Sequence, residues 1–248
     1  MGTNKETSLQ FLQKFEREFH GEIYDWITQK AEKKEALEIL DISIDYGVFT
    51  SILAEKLKPK KVVSGIRNKD EKPISKTFET CEIALPDGDY SSLKTLGKFD
   101  IIVLREMLHE VQLFMKEFFE ALKENLRDSQ SCIIIFTRPK NPPVPIPDTG
   151  MLFWRKLSPT REFIIEASSQ AGYKQECYAV SCPVVVSKSD WSLMLKGRFY
   201  AALKNNPKCS DREINEFIKD KPSPRFEFEE KILMMILHVK NEESPNNE

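Results

Sequence analysis

Glycine is scarce in this chain, with 9 residues in 248 against 14 prolines. Loops that cradle phosphates or dinucleotides are built from glycine, and GxGxxG is absent. A nicotinamide-dependent oxidoreductase is therefore a weaker, third reading. Charge of one sign is also lacking: 37 Lys+Arg stand against 39 Asp+Glu, a formal net charge of −2. That balance leaves no electrostatic footprint for a dedicated nucleic-acid binder. No apolar run approaches the ~20 residues that cross a bilayer, so no membrane role is expected. The polar start MGTNKETS does not have the form of a signal peptide.

The five cysteines, Cys81, Cys132, Cys177, Cys182 and Cys209, are odd in number and show no CxxC spacing. Free thiols in a reducing compartment fit this best, and a cytoplasmic location is the expectation. The three histidines, His20, His109 and His238, share no ligand spacing with cysteines or carboxylates, so no metal site is expected.

What is present is regular. Leu12, Phe15, Phe19, Ile23, Trp26 and Ile27 recur at three- and four-residue steps and predict a helical cap over residues 1–35. Buried strands are predicted at 36–43, 61–67, 80–85, 99–105 and 131–137. Helical faces lie between them, notably Phe49–Leu57 and Leu108–Leu126. A Pro-rich loop spans Arg138–Pro147. Ser158-Pro159 then has the form of a helix start, with Gly172 at its C-terminal end. Two further strands, near 176–186 and 226–239, bracket a helical insert at about 190–220, where Ser210 and Glu213 form a capping box.

This alternation predicts an α/β fold: a doubly wound, Rossmann-like, mostly parallel seven-stranded sheet with helices on both faces. One such domain is expected over 36–240, with a disordered polar tail at 241–248. In such sheets ligands bind at the carboxyl ends of the strands, where strand order reverses.

The first strand–helix turn reads Ile39-Leu-Asp-Ile-Ser-Ile-Asp-Tyr-Gly-Val-Phe-Thr50. It resembles motif I of the class I S-adenosylmethionine-dependent methyltransferases, an acid followed by glycines at alternate positions. Asp41 matches the acid and Gly47 the last glycine, while Ser43 and Asp45 stand at the first two glycine positions. Arg67 stands where the family has a ribose-binding acid at the end of the second strand. With donors only, it would favour a negatively charged group there. Gly88-Asp89-Tyr90-Ser-Ser-Leu93 is similar to the family's adenine-side segment. Lys98-Phe-Asp-Ile-Ile-Val-Leu-Arg-Glu-Met-Leu-His-Glu-Val111 is similar to its fourth strand and following turn.

The resemblance implies S-adenosylmethionine as cofactor, contacted by Asp41, Asp45, Gly47, Arg67, Asp89, Tyr90 and Arg105. It implies methyl transfer to an O, N or S atom of a small molecule. His109 is the candidate general base, with Glu106 as an alternative, since a positioned His or Glu side chain can accept the acceptor's proton. Tyr24, Trp154, Trp191, Arg198 and Tyr200 are the candidate substrate wall. Blander readings stand beside these. Asp41 and Asp89 can simply cap turns, Asp45-Tyr46-Gly47 can be an ordinary turn, and Trp26 suits core packing. Asn141-Pro142-Pro143 reads as a stiff loop, and Lys56–Lys61 as a solvated basic run. The rival function is a methyltransferase-fold protein that no longer methylates, serving as a binding or scaffold subunit with a protein partner, or repurposed for another ligand.

Overall fold

The computed structural model describes residues 2–31, 36–43, 47–66, 78–83, 88–204 and 206–240, the side chains of 2–8 and of Ile66 excepted. Two helices, α1 (Gly2–Phe19) and α2 (Gly21–Ala31), lead into β1 (Glu38–Ser43). There follow α3 (Val48–Leu57), β2 (Lys61–Ile66), β3 (Glu79–Glu82), the one-turn α4 (Ser91–Lys94) and β4 (Ile101–Arg105). Two 3-10 turns, Leu108–Glu110 and Gln112–Phe114, precede α5 (Met115–Lys123) and β5 (Cys132–Thr137). Next come α6 (Asp148–Leu157), α7 (Arg161–Gln170) and β6 (Tyr173–Ser187). Helices α8 (Lys188–Lys196), α9 (Ala201–Lys204) and α10 (Asp211–Asp220) lie between β6 and β7 (Arg225–Val239).

The seven strands form one sheet in the order β3-β2-β1-β4-β5-β7-β6. Pairing is parallel from β3 through β5, while β7 runs antiparallel to both β5 and β6. Strands β4 and β5 are buried at every residue, as apolar strands covered on both faces must be. Two apolar cores result, one on each face. Ile39, Val103 and Ile134 point into one, and Leu40, Ile102 and Ile133 into the other.

Four local expectations need correction. The N-terminal apolar stripe is two helices, broken at His20, because that side chain turns inward to carboxylates on α1 and β7. The Leu108–Leu126 pattern begins as two 3-10 turns, and only Met115–Lys123 is α-helical. Helix α7 starts at Arg161, with Thr160 as its cap: the Thr160 hydroxyl accepts from the Phe163 N–H, and Ser158 instead ends α6. At α10, Ser210 caps the Glu213 N–H, but the Glu213 carboxylate accepts from Thr149 Oγ1 at 2.5 Å instead of closing the box. Gly172 follows α7 with φ +85°, the left-handed conformation expected there.

Candidate active site

Chain order sets the position of the site. From β1 the chain builds outward through β2 and β3, then returns to place β4 on the other side of β1. The crevice between the carboxyl ends of β1 and β4 is thus the switch point of the sheet. Its two rims are Ser43 and Arg105, which are register partners. Both line a cavity of about 520 Å³, part of it open to solvent. Leu12, Phe15 and Glu16 of α1 form its lid, and Met194, Phe199 and Tyr200 form the opposite wall.

A second, shallower cavity, also partly open to solvent, adjoins the first and shares Glu106 and Ala201 with it. His109, Trp154, Thr137 and Pro159 are among the residues that line it. Glu106, between the two, has φ +52°, a conformation rare for a residue with a Cβ. Such strain costs of order 1–3 kcal/mol and persists where the surroundings impose it. Here the Glu106 N–H donates to the Phe136 carbonyl, and its carboxylate pairs with Arg138 Nη1 at 3.0 Å.

A chain of buried charges joins the cavity floor to the lid. Arg138 Nε donates to Glu230 at 2.5 Å, and His20 Nε2 reaches the other oxygen of Glu230 at 2.6 Å. His20 Nδ1 meets Glu16 at 2.9 Å, and Glu16 accepts from Arg105 Nη2 at 2.5 Å. The Arg105 guanidinium also lies 4.7 Å above the Phe49 ring. Burial alone would lower the pKa of His20, but Glu16 and Glu230 outweigh it and raise the group to about 9. Burial likewise opposes charge on Glu16 and Glu230, yet Arg105 and His20 hold the first, and Arg138 and His20 the second, well below the carboxylate range. Six charges therefore balance: Glu16, Glu106 and Glu230 against Arg105, Arg138 and His20.

Three polar atoms around the cavities are buried without a hydrogen-bond partner among the described residues: His109 Nε2, Trp154 Nε1 and Tyr200 Oη. His109 Nε2 lies 2.9 Å from Glu110 Oε1 but off hydrogen-bond alignment. The Trp154 and Tyr200 rings are in contact, with centroids 5.6 Å apart. Burial, then the carboxylate of Glu230, raises the Tyr200 pKa well above its ordinary value, so the phenol keeps its proton. An unsatisfied buried donor costs about 1–3 kcal/mol, and two of these atoms, Trp154 Nε1 and Tyr200 Oη, belong to contacting rings.

Of the residues expected from sequence, Arg105 and Tyr200 line the first cavity, and His109 and Trp154 the second. Gly47 sits at the mouth of α3 as its N-cap with φ +78°, and among the described residues no side chain caps that helix. Asp41 is fully buried and accepts from the hydroxyls of Ser43 and Thr50, which fixes the end of β1. Asp89 caps the Ser91 N–H on the surface, and burial pushes the neighbouring Tyr90 phenol up to about 12 as its ring packs on Phe118. Asp45 and Arg67 lie outside the described residues, as do the segment from 67 to 77 and the tail from 241.

Three substrate-wall expectations are corrected. Trp191 is core: its ring contacts Phe15, Tyr200, Phe226 and Phe228, and its N–H donates to the Pro145 carbonyl. Tyr24 is fully buried against Phe49, with its hydroxyl on Glu16. Arg198 turns away to Asp211 and the Cys209 carbonyl, holding the segment before α10. The sequence reading missed Glu16, Arg138 and Glu230, each of which has a partner 89–210 residues away along the chain. A charged residue inside an apolar pattern was the one local signal, at Glu16 and Glu230.

Among the described residues no helix is long and apolar enough to cross a membrane, and no group of three or more His, Cys, Asp or Glu side chains is placed to hold a metal ion. No family model and no curated sequence matches the chain. Solved structures do. A Bacillus halodurans protein named as a candidate methyltransferase matches with TM-score 0.53 at 14% identity, over 88% of this chain and 99% of that one. The [4+2]-cyclase SpnF matches with TM-score 0.54 at 10% identity, over 89% and 81%. The N-methyltransferase NodS of Bradyrhizobium japonicum matches with TM-score 0.50 at 11% identity, over 90% and 97%. The chain has the seven-stranded mixed-sheet fold of class I S-adenosylmethionine-dependent methyltransferases.

Proposed function

We propose that the chain transfers a methyl group from S-adenosylmethionine to a small molecule held in the second cavity. The observation that carries this is the pair of adjoining cavities at the β1–β4 switch point, lined by Arg105, Tyr200, Glu106, His109 and Trp154. The residues at the crevice fit the donor. The N-terminus of α3 behind Gly47 and the Arg105 guanidinium suit a carboxylate, and Glu16 on the same wall suits the cationic groups.

When bound, S-adenosylmethionine supplies an electrophilic methyl on sulfur. The protein's work is then to align a nucleophile, exclude water and receive a proton. Leu12 and Phe15 of α1 close the first cavity with apolar surface. Glu106 stands where the two cavities meet and His109 lies in the second, so either can accept the proton released by an O–H or N–H acceptor. Labelled methyl transfer from S-adenosylmethionine into a small-molecule extract tests the reading. Loss of label in the variants Glu106→Gln and His109→Gln, taken together, is the expected result. Transfer that survives the double variant would remove both residues from the chemistry.

One observation favours the rival reading of a repurposed binding protein. Ser43 occupies the position of the first motif I glycine, and its hydroxyl is bound to Asp41. A [4+2]-cyclase shares this fold. Such a protein would hold its ligand in the same two cavities, and absence of label transfer with retained ligand binding would mark it.

A further inference from the structure

We infer that the open groove beside the start of α7 is a separate binding site for a small amphipathic carboxylate. The ligand's apolar body would lie along the groove wall and its anionic head among Lys140, Arg161 and Lys231. None of these three cations lines either cavity of the candidate active site, so the inference does not rest on the methyl-transfer reading.

Four parts of the chain form the groove: residues 137–140 at the end of β5, 159–162 at the start of α7, Ala179 of β6 and 231–233 of β7. It measures about 850 Å³ with the solvent at its mouth included, against about 520 Å³ for the first cavity on the same measure. About 380 Å³ of it admits the centres of water molecules. Small-ligand sites run from about 300 to 1,000 Å³.

The exposed charges on this groove do not balance. Lys140, Arg161 and Lys231 come from three different parts of the fold, and all three are exposed. None of their side chains has a hydrogen-bond or ion-pair partner among the described residues. Glu162 is the one exposed carboxylate on the groove among the described residues. Arg138 adds no surplus, because Glu230 and Glu106 already hold it. Three cations against one carboxylate give a field that favours an anion, and the forked guanidinium of Arg161 matches a carboxylate's two oxygens.

The rest of the wall decides the body of the ligand. Pro139, Pro159, Ala179, Ile232 and Leu233 are apolar, and an inorganic anion would leave that surface wet. Apolar surface rimmed by charge is the composition of a site for an amphipathic molecule. An anionic membrane is disfavoured as the occupant, since three cations fall short of the clusters of about four to eight that hold one.

The test titrates the full chain with decanoate, decan-1-ol and decylammonium, which share one tail and differ in the head. Decanoate is expected to bind at least about tenfold more tightly than the alcohol, and decylammonium most weakly. Raising the salt from about 0.05 M to about 0.5 M should narrow that gap by screening. In the triple variant Lys140→Gln, Arg161→Gln, Lys231→Gln the gap is expected to close, with the alcohol affinity and the thermal midpoint unchanged. Lys219→Gln, which removes an exposed charge on α10 outside the groove, should leave the gap open. Ala179→Trp fills the groove with its cations intact and is expected to weaken acid and alcohol alike. Equal affinities for the three heads would overturn the inference. So would a decanoate preference that survives the triple variant, undiminished binding in Ala179→Trp, or no binding by any of the probes.

Discussion

His20 and Glu230 stand 210 residues apart in the chain, and their side chains meet at 2.6 Å in the interior. Glu230 also holds Arg138 at the cavity floor, and His20 also holds Glu16 in the lid. The contact thus ties the N-terminal helix to the last strand through the wall of the site. Because only a doubly protonated imidazole can donate to both carboxylates, the tie depends on the proton.

Stability should therefore fall on the alkaline side. His20 has a folded pKa of about 9, above the ordinary histidine value of about 6.5. Its contribution is complete below the unfolded value and is lost as pH rises through 9, up to about 3 kcal/mol in all. Glu16 and Glu230 have the opposite sign: their contributions hold above the ordinary carboxylate range and fade only in strong acid. Urea unfolding at pH 6 and pH 9.5 checks this. The wild type is expected to lose stability between them, and His20→Gln, already destabilised, to lose much less.

Breaking the chain of charges at its other end should cost more than deleting a surface pair. Arg138→Met leaves Glu230 facing His20 alone, in a fully buried setting. Loss of one partner from a buried ion pair costs about 3–5 kcal/mol. Arg212→Met, which removes a fully exposed pair with Glu216, should change the unfolding midpoint hardly at all. Thermal unfolding of the two variants side by side measures the contrast.

Glu106 gives a test of strain against use. Glycine accepts φ +52° without a Cβ penalty, so Glu106→Gly should relieve about 1 kcal/mol of backbone strain. It also strips the carboxylate from both cavities and leaves Arg138 with one partner fewer. The expected outcome is stability within about 1 kcal/mol of wild type together with slower methyl transfer, His109 remaining as a proton acceptor. Transfer at the wild-type rate would show that the strained carboxylate serves only Arg138.

Much of the sheet was legible because burial on both faces leaves a plain mark. Ile101–Arg105 and Cys132–Thr137 read as strands from their apolar runs, and both are buried throughout. Helix α6 was not foreseen, since a Pro-rich approach and the Ser158-Pro159 pair drew attention away from Asp148–Leu157. His109, Trp154 and Tyr200 were expected near the crevice, and they line the two cavities. Trp191 was misplaced because a large aromatic near an arginine reads the same on a cavity wall as in a core. Glu16, Arg138 and Glu230 could not be grouped from the sequence, because pairing across 89–210 residues is fixed by the sheet order and by no local pattern.

The proposed seat of the adenosyl donor is the crevice between Gly47 and Arg105, and titration of the purified chain with S-adenosylhomocysteine measures it. The expected dissociation constant lies in the range of about 1–100 μM, weakened about tenfold or more by Arg105→Ala. Binding of neither S-adenosylhomocysteine nor S-adenosylmethionine below about 1 mM would contradict it.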